Sequence, residues 1–122
     1  MDKFQAAFEV LFILSAIDGH CDDRELDVIK NYVFSNFGRG NYDVREVMDT
    51  ILLLSPEGML EELSVAAAVV DSHSNAQDKV KILEFALEVI VADRRVTDSE
   101  KAVFLALGNY WNINVNRFLA SR

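Results

Sequence analysis

An all-α fold of six to seven helices in a compact bundle is predicted by three features of the chain. Apolar residues recur mostly at spacings of three and four rather than in alternation, which is helical periodicity. The chain contains one proline and five glycines, too few for the turn-rich architecture of an all-β protein. With 122 residues, 51% of them apolar and 26% charged, the composition is globular and the length suffices to bury one core without disulfides or a structural metal. A single domain over residues 1–122 is the expectation.

The elements follow in order. The first helix is expected from about Lys3 to Ile17, with Phe4, Phe8, Leu11, Phe12 and Ser15 on one stripe and Val10, Ile13, Leu14 and Ile17 flanking it. Being apolar nearly all round, it should be central. A second, amphipathic helix runs from about Asp23 to Asn36, carrying Leu26, Ile29, Tyr32, Val33 and Phe37 at intervals of three and four. The stretch FGRGNYD, Phe37 to Asp43, reads as a loop. Val44 to Leu54 makes a third helix with Val47, Ile51 and Leu54 inward. Pro56 suits the first turn of a fourth, where a missing amide donor costs nothing. That helix carries LSVAAAVVD, whose alanines permit close approach of a neighbour, and DSHSNAQD ends it. The fifth, about Gln77 to Ala92, contains ILEFALEVIVA and mirrors the first. A sixth spans about Thr97 to Leu107, GNYWNIN turns the chain, and Asn114 can cap a short last helix, Val115 to Ser121.

Charge and cysteine usage narrow the function classes. Twenty acidic against twelve basic residues give a net charge of −8, which repels a phosphate backbone unless basic residues gather on one face. The basic pairs Lys79 and Lys81, Arg94 and Arg95, and Arg117 and Arg122 are scattered, so nucleic acid is not an expected partner. The single cysteine, Cys21, makes no internal disulfide, and a cytoplasmic location is the default. The apolar run Val10 to Ile17 is too short to span a bilayer, so membrane insertion is not expected.

Sliding the sequence on itself by 75 residues places Asp18 on Asp93, Asp23 on Asp98, Glu25 on Glu100 and Val28 on Val103. In each half a very apolar helix ends in aspartate, a polar turn follows, and an amphipathic helix opens with glutamate. The two stretches AIDGHCDDRE and VADRRVTDSE resemble the A-x-D-G-x(5)-E signature of the TerB-like family, the tellurite-resistance-associated helical domain also found in a membrane-anchored DnaJ-type co-chaperone. The resemblance implies two pseudo-symmetric helical halves, a stress-response setting and an acidic surface that binds a divalent cation. Carried across, the metal ligands are Asp18, Glu25, Asp93 and Glu100. The chain departs from the pattern at Arg94, where the family has glycine, and lacks a His-Pro-Asp J-domain motif.

The residues themselves leave two readings of these corners. Thr97-x-x-Glu100 is a capping box and Asp22-x-x-Glu25 can act as one, so neither glutamate needs a metal. A first-turn carboxylate also gains a few tenths to about 1 kcal/mol from the helix dipole. The aspartates lie at the last turns of apolar helices, where the dipole disfavours a carboxylate and something must offset it. Asx-turn amides, Arg24, Arg94 or Arg95, or a cation shared by both halves would do so. All-oxygen ligands favour calcium, magnesium or manganese. An EF-hand is excluded, because Leu14 and Ala16 occupy its first two ligand positions. Gly19 suits a left-handed helix C-cap with or without metal.

Other candidates are weaker. His20, Cys21 and His73 lack the remainder of a zinc set, and Cys21 has no evident base. GRG, Gly38 to Gly40, lacks a phosphate-loop lysine. Glu57, Glu61 and Glu62 read as a solvated helix face. Tyr110 and Trp111 form a candidate contact for a protein partner, with packing of the last helix onto the core as the competing use. The expectation is a non-enzymatic domain that binds a divalent cation or a protein partner; a metal-dependent hydrolase would require a concave pocket with an open coordination position.

Overall fold

The computed structural model describes residues 1–17, 23–38, 40–92 and 97–120. Those residues form seven helices: α1 Lys3–Ala16, α2 Asp23–Asn36, α3 Val44–Leu52, α4 Pro56–His73, α5 Ala76–Ala92, α6 Asp98–Tyr110 and α7 Val115–Ala120. The fold is all-α.

α1 is the axis of the bundle because it has no polar face to turn outward. Every residue from Ala6 to Ala16 is buried, and the helix packs against α2, α3, α4, α5 and α6. Its start is fixed by Asp2, whose Oδ1 accepts from Gln5 N at 2.8 Å and whose Oδ2 accepts from Asn41 N at 3.2 Å. One side chain thus caps α1 and ties the α2–α3 loop across it. Gly40, at φ +66°, makes that crossing possible, since a Cβ there would lie 2.8 Å from Phe4 Cβ.

The surrounding helices bury narrower stripes. α2 buries Ile29 and Val33, and the Tyr32 ring stacks on Phe85 of α5 with centroids 3.8 Å apart. α4 buries Leu63, Ala66, Ala67 and Val70, an i, i+3, i+4, i+7 stripe in which two alanines let α1 and α6 come close. Ser55 caps α4 by accepting from Gly58 N at 3.1 Å, with Pro56 in the first turn as the sequence predicts. α5 begins where Asn75 Oδ1 accepts from Asp78 N at 2.9 Å, and α7 where Asn114 Oδ1 accepts from Arg117 N at 3.0 Å.

Two helix ends differ from expectation. α3 stops at Leu52 because Leu53 and Leu54 bond three residues back, to Thr50 and Ile51, tightening the last turn. α6 continues past Leu107 through Gly108 to Tyr110. Gly108 is retained for space: a Cβ there would lie 2.2 Å from Val115 Cγ2. The helix ends instead in a Schellman motif, with Asn112 at φ 54°, its N–H donating to Asn109 O and that of Ile113 to Gly108 O at 2.8 Å.

Candidate functional site

Of the four family-implied ligands, Asp18 and Asp93 lie outside the described residues, as do Gly19, His20, Cys21, Asp22, Arg94 and Arg95. Asp18 follows α1 closely in sequence and Asp93 directly follows α5, and these two helices pack on each other. Glu25 sits half-buried in the first turn of α2. Glu100 is 5% exposed and occupies the capping box: its Oε1 accepts from Thr97 N, and its own N–H donates to Thr97 Oγ1, both at 3.1 Å. Among the described residues no three His, Cys, Asp or Glu side chains are grouped to hold a metal ion. The repeat is unequal in burial, since Val103 is fully buried whereas its counterpart Val28 is 49% exposed.

The aromatic pair divides between core and surface. Trp111 is 5% exposed, and its indole N–H donates to Ala67 O of α4 at 2.9 Å. Its ring therefore faces inward, the packing use that the sequence left open beside a partner contact, while Tyr110 beside it is 43% exposed. His73, at the end of α4, is exposed and its Nδ1 lies 3.0 Å from Val69 O.

The described residues also form a cleft of about 440 Å³ between α1, α3 and α4. Its floor is Glu9, a carboxyl in the middle of α1 that is 1% exposed. Glu9 Oε2 accepts from Gln5 Nε2 at 2.8 Å, one turn earlier, and the Glu9 carboxyl hydrogen-bonds the Glu62 carboxyl. Burial, reinforced by the neighbouring Glu62 carboxyl, pushes the Glu9 carboxyl up to about 8. The Tyr42 hydroxyl in the same cleft is buried and lacks a partner. Burial, with Asp2 and Glu9 nearby, raises it to about 12, so it stays protonated. Asp43 and Glu46 line the mouth, and Val47, Ile51 and Leu54 form an apolar wall.

The family model for tellurite resistance protein TerB matches residues 4–122, essentially the whole chain. The chain belongs to the TerB family. Neither a curated protein nor a solved structure matches it. No described helix of this TerB domain is long and apolar enough to cross a membrane.

The cleft is the part of the TerB domain that sequence reasoning missed. Glu62 is half-buried and lines it, which corrects the reading of Glu57, Glu61 and Glu62 as one solvated face. Glu9 carried a signal in being the one charged residue in the run Phe4 to Ile17, on a helix that has no exposed face. That it meets α3 and α4 across a cavity is a tertiary fact beyond periodicity.

Proposed function

We propose that this TerB domain is a non-enzymatic binding domain that takes up a divalent cation at its paired acidic corners and presents the occupied surface to a protein partner in a tellurite-type stress response. The observation that supports this reading is that the helices on either side of the two half-motifs pack on one another. α1 packs on α2, α5 packs on α6, and α1 touches both α5 and α6. Asp18 and Asp93 follow the ends of α1 and α5, where the negative end of each helix dipole repels a carboxylate and attracts a cation. A cation shared between the two aspartates relieves both penalties at once.

Asp18 and Asp93 act as primary ligands, with Glu25 and Glu100 as outer ones. Glu100 spends Oε1 on Thr97 N, so it contributes through its other oxygen while capping α6. Hard oxygen donors select calcium, magnesium or manganese. A net charge of −8 disfavours chemistry on an oxyanion such as tellurite.

Calorimetric titration of each cation into metal-stripped protein tests this, alongside an Asp18→Ala, Asp93→Ala double variant with folding checked by circular dichroism. Saturable binding in wild type that is lost in the folded variant is the expected result. No heat of binding from any of the three at millimolar concentration would overturn it.

A further inference from the structure

We propose that α3 and the loop before it form a flap latched by a shared proton: the segment from Asn41 to Leu54 opens away from α1 as a unit when the Glu9 and Glu62 carboxyls beneath it lose the proton between them.

The first observation is how little holds α3 down. Of its nine residues only Ile51 is buried, while Val47, and Leu54 just beyond the helix, are half-buried. Its principal neighbour is α1, and toward α4 the cleft of about 440 Å³ takes the place of close packing. Upstream, the loop carries Gly38 at φ +100° and Gly40 at φ +66°, and an exposed bond from Asn41 N to Asp2 Oδ2 ties it to α1. Glycine crosses between backbone regions without the steric cost that other residues meet, so the loop can swivel. The cap of α3 travels with it, since Asp43 accepts from Arg45 N and Glu46 N within the same segment. A segment with few buried contacts and an exposed tether opens at a lower free energy than the core.

The second observation is what lies beneath. Glu9 of α1 is 1% exposed and hydrogen-bonds the Glu62 carboxyl of α4, which requires a proton on one of the two. Burial and Glu62 raise Glu9 to about 8, and the N-terminal amine opposes the rise. Facing Glu9 across the cleft are Tyr42, Asp43 and Glu46 from the flap, with Gln5 on its own helix. Among the described residues, α2, α5 and α6 bring no charged side chain to the cleft, and no lysine, arginine or histidine lines it. Once the proton leaves, a buried carboxylate faces Glu62, Asp43 and Glu46 with no cation in the lining to offset them. Opening hydrates Glu9 and carries Asp43 and Glu46 away from it. Opening also hydrates the Tyr42 hydroxyl, which is buried without a partner in the closed state.

The sign follows from linkage. The closed state holds the proton more tightly than the open one, so closure weakens as pH rises from the ordinary carboxyl range to about 8. An open flap turns Val47, Ile51 and Leu54 to solvent beside Leu52 and Leu53, already 55% and 88% exposed, so loss of the proton uncovers an apolar surface.

The test is native-state amide hydrogen exchange of the full chain at pH 6 and pH 8, with rates corrected for the intrinsic effect of pH. At pH 6 the α3 amides should be protected, yet at least roughly a hundredfold less than those of Ala6 to Ala16, which marks opening separate from global unfolding. Between pH 6 and pH 8 the protection of α3 should fall by at least about tenfold. Glu9→Gln keeps an acceptor for Gln5 and a donor for Glu62 but cannot ionise, so its α3 protection should be equal at the two pH values. If that variant does not fold, Glu62→Gln decides: its amide can donate to an ionised Glu9, and the fall should shrink. Equal protection of α3 and α1 in wild type, α3 protection indifferent to pH, or a fall undiminished in the folded variant would overturn the proposal.

Discussion

The indole N–H of Trp111 donates to the backbone carbonyl of Ala67 at 2.9 Å, joining the end of α6 to the middle of α4 across 44 residues of sequence. Trp111 is accordingly a structural anchor. Trp111→Ala should cost about 3–5 kcal/mol, the usual range for deleting a buried large aromatic. Trp111→Phe should cost less, because most of the apolar area remains and Ala67 O lies within the α4 hydrogen-bond ladder. Urea unfolding checks both; a Trp111→Ala protein as stable as wild type would show that the indole is not part of the core.

Glu100 has a role that can be separated from any ligand role. Thr97→Ala removes the acceptor for Glu100 N and should cost about 1 kcal/mol by the ordinary value of an N-cap. Glu100→Gln retains an oxygen for Thr97 N, so stability should change by less than about 1 kcal/mol. Cation affinity should nevertheless fall in Glu100→Gln if Glu100 is an outer ligand. Equal affinity would confine Glu100 to capping.

Gly108 sits inside α6, where alanine is ordinarily preferred by about 1 kcal/mol. Here the sign should reverse. The added Cβ would meet Val115 Cγ2 at 2.2 Å and Ile113 O at 3.0 Å, and overpacking of that kind costs about 1–3 kcal/mol. A thermal midpoint for Gly108→Ala below that of wild type is expected; a higher one would show that α7 yields without cost.

Glu9 makes stability depend on pH with a definite sign. Its carboxyl is raised from 4.5 to about 8 on folding, so between those values the folded state holds a proton that the unfolded state has lost. The native state then binds more protons than the unfolded one, and the contribution of Glu9 to stability falls as pH rises through that window and levels off above about 8. Glu9→Gln removes this term. Its stability relative to wild type should increase from pH 5 to pH 8 in urea melts, and a constant difference would contradict the burial of an ionisable Glu9.

The helices were legible where sequence carries its own punctuation. Pro56 after Ser55, Asn114 before Val115 and the Thr97-x-x-Glu100 box mark starts that the structure reproduces with bonded caps. The all-round apolar run of α1 predicts its central place. The end of α6 was less legible, because Gly108 looks like a terminator and is retained for the approach of Val115, a contact from another helix. Trp111 illustrates the same limit, since its indole N–H meets a backbone carbonyl 44 positions earlier, at Ala67. The acidic corners stand out in sequence because they repeat. The cleft does not repeat, and Glu9, Tyr42 and Glu62 meet only through the packing of α1, α3 and α4.

The measurement that bears most directly on the acidic corners is the thermal midpoint of metal-stripped protein at rising calcium, magnesium or manganese. A ligand that binds only the folded state adds about 1.4 kcal/mol at ten times its dissociation constant, a shift of several degrees for a domain of this size. A saturating rise in wild type with at least one cation, absent in the folded Asp18→Ala, Asp93→Ala variant, is the predicted result. A midpoint that stays flat at millimolar concentrations of all three, or that rises equally in the variant, would contradict cation binding at the paired corners.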